Sequence, residues 1–112
     1  MLFRSGANGP TSYEADPILA RKGIVAVPDI LANAGGVIVS YFEWVQNRLG
    51  FKWTLNRVYR RSDAIIKEAF NNVYSISKKY KISLREAAYI AAIDKVAKTY
   101  KYRNGSFTFQ KK

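Results

Sequence analysis

Two asparagines bordered by glycine carry most of the chemistry within reach of this chain. Asn8 lies inside "GANGP" (Gly6–Pro10), and Asn33 stands just ahead of Gly35–Gly36 in "ANAGGVIVSYFEW". A side-chain amide both donates and accepts hydrogen bonds, and glycine lets a ligand come close to the backbone. Ser40, a little further on, adds a hydroxyl. These groups suit the rim of a binding site; none is a general base. Histidine and cysteine are absent, which removes the usual neutral-pH base, the thiolate nucleophile and the commonest metal ligands. The eight carboxylates are scattered, so no metal site is expected. Each candidate also has a plainer reading. Asn–Gly turns are common, Ser40 among apolar neighbours suits a hydroxyl bonded back to its own helix, and Phe42 and Trp44 suit a core.

The elements that must position these groups follow from local signals. Gly6–Pro10 is a turn. Thr11 with Glu14 has the spacing of a capping box, but Pro17 argues for a later start, with Asp16 as N-cap, Pro17 at the first helical position and Gly23 closing the helix. "IVAVPD" (Ile24–Asp29) is a continuous β-branched run and predicts a short strand buried on both faces. A helix followed by such a strand is one step of an open parallel α/β sheet, whose other strands must come from elsewhere. Ligands of such sheets bind beyond the carboxyl ends of the strands. Val37–Leu49 has strand-favouring β-branched residues, yet its length, the preceding glycines and the Gly50 stop predict a buried helix. Helical spacing of Leu55, Val58, Tyr59, Ile65, Ile66, Ala69, Phe70, Val73, Ile76 and Tyr80 predicts a long helix capped by Thr54. Ser83 and Glu86 predict a capping box opening a last helix, with Leu84, Ala88, Ala91, Val96 and Tyr100 along one face. Residues 102–112 read as a loosely held tail.

The formal charge is +11, and all of it resides in residues 51–112, because basic and acidic residues balance over 1–50. A basic half can serve nucleic acid, although lysines on helices are mostly solvated. No apolar run approaches the roughly 20 residues of a membrane span, and no signal-peptide pattern opens the chain. The expectation is a cytoplasmic protein that engages no membrane.

Taken together, "GANGPTSYEADPIL", "IVAVPDILANAGGVIVSYFEWVQN" and "AAYIAAIDKVA" are more specific than their parts. In this order they resemble the carboxyl-terminal region of the glutamate/leucine/phenylalanine/valine dehydrogenase family, from Gly6 to about Lys101, and "SYFEWVQN" is most similar to its glutamate-specific members. The resemblance implies an α/β chain: residues 6–50 as the second part of a Rossmann-like dinucleotide-binding domain, 51–101 as a carboxyl-terminal helical segment and 102–112 as a tail. Met1–Ser5 reads unlike the rest, since "LFRS" is also a translation of a common sequencing-adapter end, and is set apart as a non-native leader. By resemblance, Asn8 lies beside the nicotinamide end of NAD or NADP. Asn33 contacts the nicotinamide ribose and faces substrate, Val37 lines the substrate pocket, and Ser40 hydrogen-bonds the side-chain carboxylate of glutamate. A hydroxyl there favours a dicarboxylate over leucine or phenylalanine, which would leave it unpaired.

The resemblance also implies what is missing. Catalytic lysines and an aspartate belong to an amino-terminal substrate domain, and the G-x-G-x-x-G turn for the pyrophosphate is not in this sequence. The acidic residue that would choose NAD over NADP is missing too, and Ser5 stands where the family usually has glutamate. The expected whole is a homo-oligomer, a hexamer by family resemblance, acting on L-glutamate and 2-oxoglutarate, with this chain as its last quarter and inactive alone. Two alternatives stay open: a leucine- or phenylalanine-type dehydrogenase, and a non-catalytic basic module using Lys78, Lys79 and Lys81 against nucleic acid.

Overall fold

The structure, a computed structural model, describes residues 1–103; residues 104–112 of the expected tail lie outside them, and Tyr102 and Arg103, expected in that tail, belong instead to the last helix. The element order is β1 (Leu2–Phe3), α1 (Ala15–Arg21), β2 (Val25–Ala26), α2 (Asp29–Ala32), α3 (Ala34–Leu49), α4 (Leu55–Tyr80) and α5 (Leu84–Arg103). Mostly helical, the molecule carries one parallel two-stranded sheet, with Leu2 opposite Val25 and Phe3 opposite Ala26. The Val25 and Val27 amides donate to the carbonyls of Met1 and Phe3 at 3.0 and 2.9 Å. Parallel strands need a crossover connection, and α1 provides it. Residues 1–5, set apart in the sequence reading, therefore supply the neighbouring strand that Ile24–Val27 was expected to lack.

Several local expectations are corrected. Helix α1 begins at Ala15 with Glu14 at its cap and no side-chain cap bond, so neither the Asp16 cap nor the Thr11–Glu14 box forms it. Pro17 is harmless at the third helical position, because the first amides of a helix have no intrahelical acceptor to lose. Gly23, at φ +64°, closes α1 as expected. Its amide donates to Ala20 and that of Ile24 to Leu19, the paired bonds of a Schellman end. The second strand is two residues long rather than six, because Pro28 ends the extended run and Asp29 opens α2. Helix α3 starts at Ala34, so Gly35 and Gly36 lie in its first turn instead of before it.

Helix α3 ends at Gly50, φ +65°. The side chain of Gln46 pins the corner that follows, accepting from the Trp53 amide at 2.6 Å and donating to the Phe42 carbonyl at 3.1 Å. Phe42 is buried and meets Trp53 at 5.4 Å between ring centroids. Thr54 caps α4 by accepting from the Arg57 amide at 3.3 Å. The Ser83–Glu86 box opens α5 in both directions: the Glu86 amide donates to Ser83 Oγ at 3.2 Å and the Ser83 amide to the Glu86 carboxylate at 3.0 Å. Between α4 and α5 sits the small core of Val73, Ala87 and Ala88, flanked by Ile76, Ile82, Leu84 and Ala91. Val96 and Tyr100, expected on the same α5 face, are each 68 % exposed. At 100° per residue they lie well away from the Leu84–Ala88–Ala91 line.

Candidate functional site

The carboxyl ends of β1 and β2 point toward the same edge, and the two candidate asparagines follow them. Beyond β1 the chain makes the exposed Gly6–Pro10 turn that carries Asn8. Beyond β2, the short α2 delivers the half-buried Asn33, which is both the C-cap of α2 and the N-cap of α3. The Asn33 side-chain amide donates to Asn8 Oδ1 across 25 positions of sequence. That bond uses one donor of Asn33 and one acceptor of Asn8. The Asn8 NH₂ and the Asn33 carbonyl oxygen keep capacity for a ligand.

Asp29 underlies the pair. Its carboxylate accepts from the Gly9 amide at 2.6 Å, and its main-chain carbonyl accepts from the Asn33 amide at 2.9 Å. The Gly9 amide holds the Asp29 carboxyl below its ordinary range, against an opposing push from partial burial; the Ile30 amide and the Arg85 charge pull the same way. Gly9 itself has φ +59°, a conformation that favours glycine.

Arg85, near the start of α5, ties the far side of the same turn. One terminal guanidinium nitrogen donates to both oxygens of the Asp16 carboxylate, at 2.9 and 3.0 Å, and the other donates to the Thr11 carbonyl at 3.1 Å. The arginine-specific feature is that two nitrogens of one planar group serve two separate partners, Asp16 and Thr11. Burial pushes the Arg85 pKa down, but the bond and charge of Asp16, with smaller help from Tyr89 and Asp29, leave it raised overall.

Val37 and Ser40 fall on one face of α3, leading away from Asn33. Val37 is 74 % exposed and Ser40 is exposed. Unlike Ser75, whose hydroxyl donates to the carbonyl one turn back at 2.7 Å, Ser40 shows no side-chain hydrogen bond among the described residues. The same face continues through Tyr41 and Trp44, stacked at 5.9 Å, to Arg48 over the Trp44 ring at 5.6 Å. Trp44 thus stands on the open face, not in a core. The four predicted positions form a line along one edge, with Asn8 and Asn33 in direct contact and Val37 and Ser40 one and two turns further. This edge is one wall. A groove of about 510 Å³ opens elsewhere, between α1, β2 and the α4–α5 turn, and its lining includes neither asparagine.

The profile of the glutamate/leucine/phenylalanine/valine dehydrogenase family matches residues 3–104. The chain belongs to this family. Among its relatives, a glutamate dehydrogenase of Thermotoga maritima is 57 % identical over 98 residues, covering 88 % of this chain and 24 % of that protein. An NAD-specific glutamate dehydrogenase of Clostridioides difficile is 50 % identical over 102 residues, covering 91 % and 24 %. The crystal structure of glutamate dehydrogenase from Peptoniphilus asaccharolyticus superposes with a TM-score of 0.84 at 43 % identity, over 91 % of this chain and 26 % of that one. The chain spans about a quarter of the length of the curated relatives it matches. The dehydrogenase family match begins at Phe3 and so takes in part of the segment set apart as a leader.

Asp29 and Arg85 escaped the sequence reading. Asp29 read as the end of a strand, and its only local signal was a carboxylate following Pro28 at a helix start. Arg85 read as one basic residue among many, and no spacing rule reaches across 69 positions to Asp16. Two of the three lysines of the nucleic-acid alternative lie over nearby tyrosines, Lys78 over Tyr74 at 5.3 Å and Lys79 over Tyr80 at 5.1 Å. Among the described residues no helix is long and apolar enough to cross a membrane.

Proposed function

We propose that this chain is the carboxyl-terminal part of an NAD(P)-dependent glutamate dehydrogenase, which deaminates L-glutamate oxidatively to 2-oxoglutarate and ammonia. The observation that carries the reading is the Asn8–Asn33 contact beyond the carboxyl ends of two parallel strands, the place where α/β sheets receive nucleotides. In this reading residues 6–50 are the second part of a Rossmann-like domain. The catalytic lysine and aspartate belong to a substrate domain in the rest of the polypeptide, which assembles as a homo-oligomer. The name of the Clostridioides difficile relative, an NAD-specific glutamate dehydrogenase, supports the cofactor class.

The residues present fit a nicotinamide nucleotide. Asn8 and Asn33 keep a donor and an acceptor on their exposed sides, and at Gly9 and Gly36 an added Cβ would meet nothing within 4 Å, so the rim is open to close approach. When bound, the nicotinamide supplies the hydride acceptor. Asn8 orients the ring end of that group, and Asn33 holds the ribose and faces the substrate. Val37 offers apolar surface to the aliphatic part of glutamate. Ser40 donates its hydroxyl to the distal carboxylate. None of the four moves a proton; they bind and orient.

The test is steady-state kinetics of the full-length protein with Ser40→Ala. Losing one hydrogen bond to a charged group costs roughly 1.5–3 kcal/mol. The KM for glutamate is therefore expected to rise about ten- to a hundred-fold with the cofactor KM nearly unchanged. Unaltered glutamate kinetics would remove Ser40 from the site. A full-length protein that reduces neither NAD⁺ nor NADP⁺ with glutamate would overturn the reading as a whole.

A further inference from the structure

We propose that Asp29 is a positioning residue that sets Asn8 and Asn33 side by side for a single ligand; the proposal rests on the reading that this pair faces the cofactor. Asp29 bonds the Asn8 turn at Gly9 and the Asn33 backbone through different atoms. Its carboxylate takes the amide of Gly9, next to Asn8, at 2.6 Å. Its carbonyl takes the amide of Asn33 at 2.9 Å, across the four residues of α2. The contact between the two side chains then closes a ring: Asn8, Gly9, Asp29, Asn33 and back to Asn8.

Each link has a reason to need the next. The Gly6–Pro10 turn is exposed and passes through a left-handed glycine, so its own backbone gives it little rigidity. A carboxylate is the strongest ordinary acceptor for a backbone amide. Asp29 is itself anchored, because Pro28 before it is buried and α2 follows at once. Aspartate also has the right reach: glutamate would place the carboxylate one bond too far while its carbonyl stayed in α2. From the other side Arg85 holds the Thr11 carbonyl, so the turn is gripped at two points and Asn8 lies on the side held by Asp29.

Two variants in the full-length protein separate positioning from bulk stability. In Asp29→Asn the amide oxygen can still accept from Gly9, whereas Asp29→Ala removes the acceptor. Backbone hydrogen exchange, followed by mass spectrometry on peptides covering residues 6–11, reads the turn directly. Asp29→Ala is expected to speed exchange there about ten-fold and to raise the KM for NAD⁺ or NADP⁺ by a similar factor, the scale of one lost hydrogen bond. Asp29→Asn should stay within about three-fold of the parent on both readings. A residue that merely stabilised the fold would lower the melting temperature in Asp29→Ala and leave the cofactor KM unmoved. That result, unchanged exchange in residues 6–11, or equal damage from Asn and Ala would overturn the proposal. If the parent protein reduces neither nucleotide with glutamate, the functional reading fails separately, and the exchange comparison still decides whether Asp29 holds the turn.

Discussion

At the scale of single residues, two features outside the line of site residues stand out. Lys81 caps α4 with φ 54° and ψ 43°, a left-handed conformation that costs an L-residue roughly 1–2 kcal/mol and glycine almost nothing. Lys81→Gly is expected to stabilise the protein by up to about 1 kcal/mol, read as a higher denaturant midpoint at unchanged slope. Arg85 makes the opposite case. Arg85→Lys keeps the charge and one nitrogen for Asp16 but loses the second nitrogen that bonds Thr11, and should destabilise by about 1 kcal/mol. A thermal midpoint equal to the parent's would show that the second nitrogen adds nothing beyond charge. The residues that sequence reading singled out were those whose type is unusual in its surroundings, such as Asn8 and Asn33 beside glycines. Asp29 and Arg85 stayed silent because an aspartate after proline and an arginine in a basic helix look ordinary until their partners, 20 and 69 positions away, are in place.

At the scale of elements, legibility followed the range of the forces. Caps and stops depend on neighbours within four residues, and those at Gly23, Gly50, Thr54 and Ser83–Glu86 were all readable. The start of α1 misled because Pro17 is excluded only from helix interiors, and any position in the first turn tolerates it. The second strand was overestimated because Pro28 and the helix start at Asp29 cut the extended run short, and its Val25 is 51 % exposed rather than buried on both faces. The α5 capping box yields a pH prediction. The Ser83 amide, and after it the Ser83 hydroxyl, hold the Glu86 carboxyl below its ordinary range. A depressed folded pKa contributes stability that is complete above the unfolded value of about 4.3 and is lost as pH falls through the lower folded value. The first turn of α5 should therefore fray in that acid window, seen as faster exchange of the Glu86 and Ala87 amides. Ser83→Ala should weaken that dependence and cost about 1 kcal/mol at neutral pH.

At the scale of the whole molecule, the chain is a plate of 55 × 49 × 22 Å. Its radius of gyration is 17.8 Å, against about 13 Å for a compact chain of this length. Phe42, Val73, Ala87 and Ala88 are the buried hydrophobic residues described, while Val37, Tyr41, Trp44, Tyr59 and Val96 are exposed. Produced by itself, the 112-residue chain is expected to self-associate through these faces and the two-residue strands. Sedimentation measures this, and a monodisperse monomer with a cooperative melt would contradict it. Shape was the least legible property, because periodicity says which face is apolar but not what covers it. The Arg85 bridge, finally, bears on when the binding edge takes form. At a synthesis rate of about 5–20 residues per second, Arg85 follows Asp16 by roughly 3–14 seconds. Until then the turn of Asn8 can be held only from the Asp29 side, and its second grip waits for α5 to be made and folded back. The asparagine made first thus belongs to the segment whose fastening is completed last.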